Sequence, residues 1–151
     1  VSRHILLDSS PLGLLSKPTR STDVLPIVEW ATSCLGAGHT LYVPEVIDYE
    51  IRRELLRADK TAGVVRLDRL KELFTYLPIT TPAMLLAAEL WAQSRKIGRP
   101  TGDPLKLDID VILAAQAITM AVPQSEVIVA TDNVGHLSRF ISSDHWSNIA
   151  P

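Results

Sequence analysis

The sequence predicts an α/β fold, a three-layer α/β/α arrangement in which a parallel sheet of four or five strands is covered by helices on both faces. Three observations lead there. Short apolar runs rich in β-branched residues alternate with helical patterns of ten or more residues. The runs are apolar throughout instead of alternating, as strands buried on both faces are. Two of them, His4–Leu7 and Val127–Ala130, end directly before acidic or polar residues.

His4-Ile5-Leu6-Leu7 reads as a buried strand that stops at Asp8, where Ser9, Ser10 and Pro11 suit a helix start. The stretch Lys17-Pro18-Thr19-Arg20-Ser21 breaks the pattern, and Val24–Leu35 reads as a helix closed by Gly36 and Gly38. Thr40–Val43 has strand composition, and Pro44 ends it while opening a helix over Glu45–Asp59. Helical spacing returns over Ala62–Leu77, followed by a short strand at Leu77–Thr80. Thr81 and Pro82 open a helix through Ala83–Lys96 that stops at Gly98, and Arg99–Lys106 reads as a loop. Asp110–Ala121 is a strongly apolar helix, Val127–Ala130 a buried strand, and His136–Phe140 a further helical turn or two.

With 151 residues the chain fits one domain, residues 1–151. An apolar share of 46% and a charged share of 21% exclude a disordered chain. The net charge of −2 gives no whole-molecule field for nucleic acid, so any basic surface must be local. Cys34 is the single cysteine, which excludes an internal disulfide and a thiolate zinc site and points to a reducing compartment. No run approaches the ~20 apolar residues of a membrane helix, so the expected location is cytoplasmic.

In open parallel sheets, ligands bind beyond the C-terminal ends of the strands. That rule selects Asp8 and the pair Asp132-Asn133. Glu50 and Asp110 lie in apolar helical neighbourhoods where an unpaired carboxylate is costly. If these groups converge, hard divalent ions are the remedy for their repulsion, and Mg²⁺ or Mn²⁺ ions about 3.5–4 Å apart suit phosphodiester chemistry. Each residue also has a local reading. Asp8 and Asp110 fit helix N-caps, Glu50 fits a surface pair with Arg53 or Arg57, and Asp132-Asn133 fits an Asx-turn. His136 follows the last strand, where it could approach the acidic groups, although a lone histidine after a turn is more often a surface or capping residue, while His4, His39 and His145 lack metal-ligand spacing.

Ile5-Leu6-Leu7-Asp8-Ser9-Ser10, Val43-Pro44-Glu45-Val46-Ile47-Asp48-Tyr49-Glu50, Asp110-Val111-Ile112-Leu113-Ala114-Ala115 and Val129-Ala130-Thr131-Asp132-Asn133 occur in that order. Together they resemble the four acidic motifs of the PIN-domain family, which includes the VapC-type toxins of bacterial toxin–antitoxin pairs. The segments Tyr49–Arg57 and Asn133–Phe140 resemble more narrowly a PIN subgroup common in cyanobacteria and labelled nucleic-acid binding. The resemblance implies a PIN-like fold and a metal-dependent ribonuclease acting on single-stranded or structured RNA. Asp8, Glu50 and Asp110 are the implied metal ligands and catalytic residues, completed by Asp132 or Asn133. By spacing, Asn133 matches the fourth family position, and it offers an oxygen without charge. Asp108 competes with Asp110, because on an extended approach both side chains point the same way. Ser9, Thr131, Arg52, Arg53 and Arg57 are the expected RNA contacts. The basic stretch that continues through Lys60, Arg66, Arg69 and Lys71 reads equally as a salt-bridged surface with Glu54, Asp59, Asp68 and Glu72. A homodimer and an antitoxin protein are the implied partners. A non-catalytic PIN module that binds RNA or a protein is the alternative.

Overall fold

A computed structural model describes residues 2–18, 22–97 and 104–151, with backbone only for 104–106. The expected break at 19–21, the helix stop at Gly98 and most of the expected loop after it lie outside the described residues.

The chain runs β1 (His4–Leu7), α1 (Ser9–Leu15), α2 (Leu25–Gly36), β2 (Thr40–Pro44), α3 (Glu45–Arg57) and α4 (Thr61–Leu73). It continues through β3 (Thr75–Leu77), α5 (Thr81–Lys96), α6 (Pro104–Ile118), β4 (Val127–Ala130), α7 (Val134–Leu137) and β5 (Ser143–Asp144). The sheet order is β3-β2-β1-β4-β5, and every pairing is parallel. Helices cover both faces of this sheet, giving the three layers expected.

β1 is the centre of the sheet because its residues can be buried on both faces without loss. Ile5, Leu6 and Leu7 are inaccessible to solvent, and Leu6 sits opposite Tyr42 on one side and Val129 on the other. From β1 the chain builds outward to β2 and β3, then returns to place β4 and β5 on the other edge. Such a reversal opens a crevice at the C-terminal strand ends. Asp8 and Thr131-Asp132 emerge there. Between α5 and α6 the facing residues include Ala83, Ala87 and Ala115, whose small side chains let the helices approach closely around Leu107 and Val111.

Three boundaries differ from expectation. α4 ends at Leu73, and the extended backbone of Phe74 feeds β3 two residues earlier than predicted. Pro78 has no N–H to donate, so the ladder closes at Leu77. α6 starts at Pro104, six residues before Asp110, a first position that proline suits. β5 is only two polar residues, with no composition signal of its own.

A charged node ties α3 to α4. Asp48, in the first turn of α3, is 7% exposed, and its Oδ1 lies 2.8 Å from Arg52 Nη2. Lys71 Nζ stands 3.7 Å from the other carboxylate oxygen, and Arg52 reaches Asp68 at 2.6 Å. Arg52 holds the Asp68 carboxyl below its ordinary value. That pair therefore contributes above the usual carboxylate range and is lost only as pH falls through the lowered value. Removing a buried partner leaves an uncompensated charge. Asp48→Ala should therefore lower stability by about 2–3 kcal/mol, less than for a fully buried pair because Arg52 keeps Asp68 and some solvent. Urea unfolding followed by circular dichroism measures the shift.

Candidate metal centre and cationic groove

Asp8 begins where β1 ends. Its backbone N–H donates to Ala130 O at 3.0 Å, which extends the β1–β4 ladder by one bond. Its side chain is 94% buried and doubly held: Oδ1 accepts from Ser9 N at 2.7 Å and Oδ2 from Thr131 Oγ1 at 2.7 Å. The first contact is the helix cap foreseen as its local reading. The second joins it to the residue after β4, across 123 residues. A helix cap alone does not need that second bond.

Thr131 is fully buried, and its hydroxyl also accepts from Asn133 N at 2.8 Å. The turn after β4 is thus made by threonine, not by the Asx-turn weighed for Asp132-Asn133. Thr131 accordingly faces Asp8, and its hydroxyl serves both that contact and the turn. Asp132 turns outward, accepting from Ser10 Oγ and lying 3.1 Å from His145 Nε2. Asn133 precedes α7 and forms no side-chain cap. His136 is exposed. The histidine that meets the acidic group is His145, which sequence spacing had set aside.

Glu50 lies a turn and a half into α3, the helix that starts beyond the C-terminal end of β2. Its Oε1 is buried and has no hydrogen-bond partner among the described residues. Asp110 lies inside α6 and is 3% exposed, so the N-cap reading for it is excluded. Asp108 is exposed. Two residues along a helix is about 200°, which separates the two aspartates by face where an extended chain would have aligned them.

Direct hydrogen bonds thus join Asp8 to Ser9 and Thr131, and Ser10 to Asp132. Among the described residues, no three His, Cys, Asp or Glu side chains stand close enough to form a ready metal cage. The donor chemistry nevertheless fits a hard divalent cation. The candidate groups all offer oxygen, and an orphaned buried carboxylate oxygen is a group that a cation satisfies.

An open groove of about 780 Å³ runs between α1 and the α3–α4 pair, with Ser9 and Glu50 among its lining residues. Lys17, Arg53, Arg57, Lys60 and Arg66 also line it, against Glu50 and Glu54. Local positive charge therefore exists despite the acidic total. Arg66 is partly engaged, donating to Ser16 O at 2.6 Å, and Arg57 pairs with Glu54 at 3.0 Å. Arg53 lies over the Tyr49 ring at 5.1 Å. Arg52 does not line the groove. Its guanidinium is engaged by Asp48 and Asp68. Lys17, just past the end of α1, lies far in sequence from the basic stretch of α3 and α4.

No family model and no curated protein matches this sequence. Solved structures do. VapBC2 from Rickettsia felis bound to a DNA fragment from its promoter aligns with TM-score 0.69 and 14% identity over 95% of this chain and 98% of that one. VapBC-1 from nontypeable Haemophilus influenzae aligns with TM-score 0.68 and 18% identity over 96% and 99%. FitAcB from Neisseria gonorrhoeae gives 0.66 and 20%, again over 96% and 99%. At such identities the likeness speaks for the fold. With its five parallel strands in register and nearly complete coverage of both partners, this chain has the fold of a PIN domain.

Proposed function

We infer that the protein is a metal-dependent ribonuclease that hydrolyses RNA phosphodiester bonds. The observation that carries the reading is the buried, unpartnered Glu50 oxygen in a groove lined by cations. Topology supports it, because β1, β2 and β4 are parallel and present Asp8, the start of α3 and Asp132 at one sheet edge.

Asp8, Glu50 and Asp110 would hold Mg²⁺ or Mn²⁺, with Asp132 or Asn133 as the fourth group. When bound, the ion supplies an activated water and polarises a phosphoryl oxygen. The protein's own work is orientation. Ser9 and Thr131 each fix one oxygen of Asp8, so little rearrangement is needed for the carboxylate to act. Lys17, Arg53, Arg57 and Lys60 neutralise backbone phosphates along the groove, a sequence-independent attraction. Ser9, at the inner end, donates its hydroxyl to a phosphate. The fold neighbours are two-component complexes, which supports an antitoxin protein as partner and a toxin as the biological role. A homodimer and a cytoplasmic location accompany this reading. Among the described residues, no helix is long and apolar enough to cross a membrane.

The second reading, a non-catalytic module binding RNA or a protein, is favoured by the neutral Asn133 and by the separation of the acidic groups.

Three measurements decide between them. Asp8→Asn preserves the cap on α1 but replaces the oxygen that accepts from Thr131 with a donor, so it should lower stability by about 1–3 kcal/mol while reducing RNA cleavage roughly 100-fold or more. Cleavage of a mixed single-stranded RNA pool at the wild-type rate would sink the mechanism. Mg²⁺ or Mn²⁺ at about 100 times its dissociation constant should stabilise the protein by about 2.7 kcal/mol, seen as a rise in melting temperature. A melting temperature indifferent to millimolar metal favours the binding module. Asn133→Asp should tighten Mn²⁺ binding in calorimetry if Asn133 occupies the fourth position, since it adds charge without changing shape.

A further inference from the structure

Asp132 has both carboxylate oxygens occupied. Oδ2 accepts from Ser10 in the first turn of α1, and Oδ1 lies 3.1 Å from His145 Nε2. The imidazole is itself oriented. Ser147 N points to His145 Nδ1 at 3.3 Å, and Ser147 Oγ lies 2.7 Å from the same nitrogen. A backbone N–H can only donate, so Nδ1 accepts and Nε2 carries the hydrogen that Asp132 receives. Behind the ring, His145 packs on Trp146 at 5.4 Å and Trp146 on Trp30 at 5.7 Å. Trp30 is 7% exposed and donates to Ile149 O at 2.8 Å. Asp144 completes the support: its Oδ1 accepts from His145 N at 2.7 Å, and its carbonyl accepts from Thr131 N at 3.0 Å.

The order of these groups excludes nucleophilic catalysis by Ser10. A base must receive the hydroxyl proton of the nucleophile, and here the carboxylate stands between the hydroxyl and the imidazole.

We propose that His145 is a positioning residue that, with Ser10, makes Asp132 a clasp across the C-terminal ends of β1 and β4 instead of a metal ligand. The clasp holds the Thr131-Asp132 turn against Asp8, so that Thr131 keeps its hydroxyl on Asp8 Oδ2. This rests on the nuclease reading for its effect on activity, but the clasp itself is a property of the folded chain. It leaves the fourth metal position to Asn133.

The test compares wild type with His145→Ala, His145→Gln and Asp132→Asn in the full chain. Glutamine places a side-chain N–H near the position of Nε2 and should rescue the contact, whereas alanine removes it. Amide hydrogen exchange by NMR reads the clasp without metal. In His145→Ala the Ser9 and Asn133 amides should exchange roughly 10-fold faster, with His145→Gln close to wild type. With Mn²⁺, His145→Ala should lower kcat roughly 10-fold with KM unchanged, again restored by glutamine, as supporting partners of metal ligands do. Asp132→Asn can still accept from His145, so Mn²⁺ affinity measured by calorimetry should fall less than about 3-fold. Unchanged exchange in His145→Ala would overturn the clasp, as would a glutamine variant as impaired as alanine. A loss of Mn²⁺ affinity of roughly 10-fold or more in Asp132→Asn would return Asp132 to the ligand set and overturn the assignment. A wild type that neither binds Mn²⁺ nor cuts RNA would defeat the nuclease reading, while the exchange data would still judge the clasp.

Discussion

The bond between the Thr131 hydroxyl and Asp8 Oδ2 is the contact on which the site depends. It exists because two apolar strands, β1 and β4, pair in parallel register and stop together at their C-terminal ends. Burial fixes that register: Leu6 and Val129 are both inaccessible and lie opposite each other. A slip of one residue would turn every side chain to the other face. The polar residues that follow are then brought into contact by the sheet, with no need for a local turn to join them. Charge chemistry at this edge is a consequence of how the apolar strands pack.

The helices divide the acidic residues between structure and chemistry. On α3, Asp48 and Glu50 are two positions apart and so point to different sides. Asp48 is satisfied by Arg52 and Lys71, whereas Glu50 keeps one buried oxygen without a partner. The same helix therefore holds the fold together with one carboxylate and leaves the other available at the groove. The basic stretch is divided in the same way. Arg52 and Lys71 serve the interior node, and Arg53, Arg57 and Lys60 face the groove.

What could be read from the sequence follows physical lines. β1 and β4 were legible to the residue because full burial demands an unbroken apolar run. Asp8 was legible because it stands at the end of such a run. β3 was displaced, since Thr75 and Tyr76 suit a helix end about as well as an edge strand. β5 left no trace, because two polar residues are strand only through the carbonyls of Ser142 and Asp144 that β4 and Thr131 find there. The start of α6 was missed because Pro104 reads as a loop residue until its neighbours are known to form a helix. Asp48 and His145 escaped for another reason: their roles depend on partners that only the packed structure supplies. Arg52 illustrates the limit most clearly, a cation in a basic run whose carboxylate partners lie on two helices.

The position of β1 has a consequence for how the chain is made. It is synthesised before the other strands of its sheet and lies in the middle of that sheet, so one of its edges can pair with β2 early while the other waits for residues 127–130. Until β4 leaves the ribosome, β1 offers an unpaired edge and apolar surface, a state prone to wrong pairing. Asp8 likewise lacks Thr131 throughout that interval. The nascent chain therefore cannot assemble this acidic edge from its early segments, and the site comes into being only when the late strand docks.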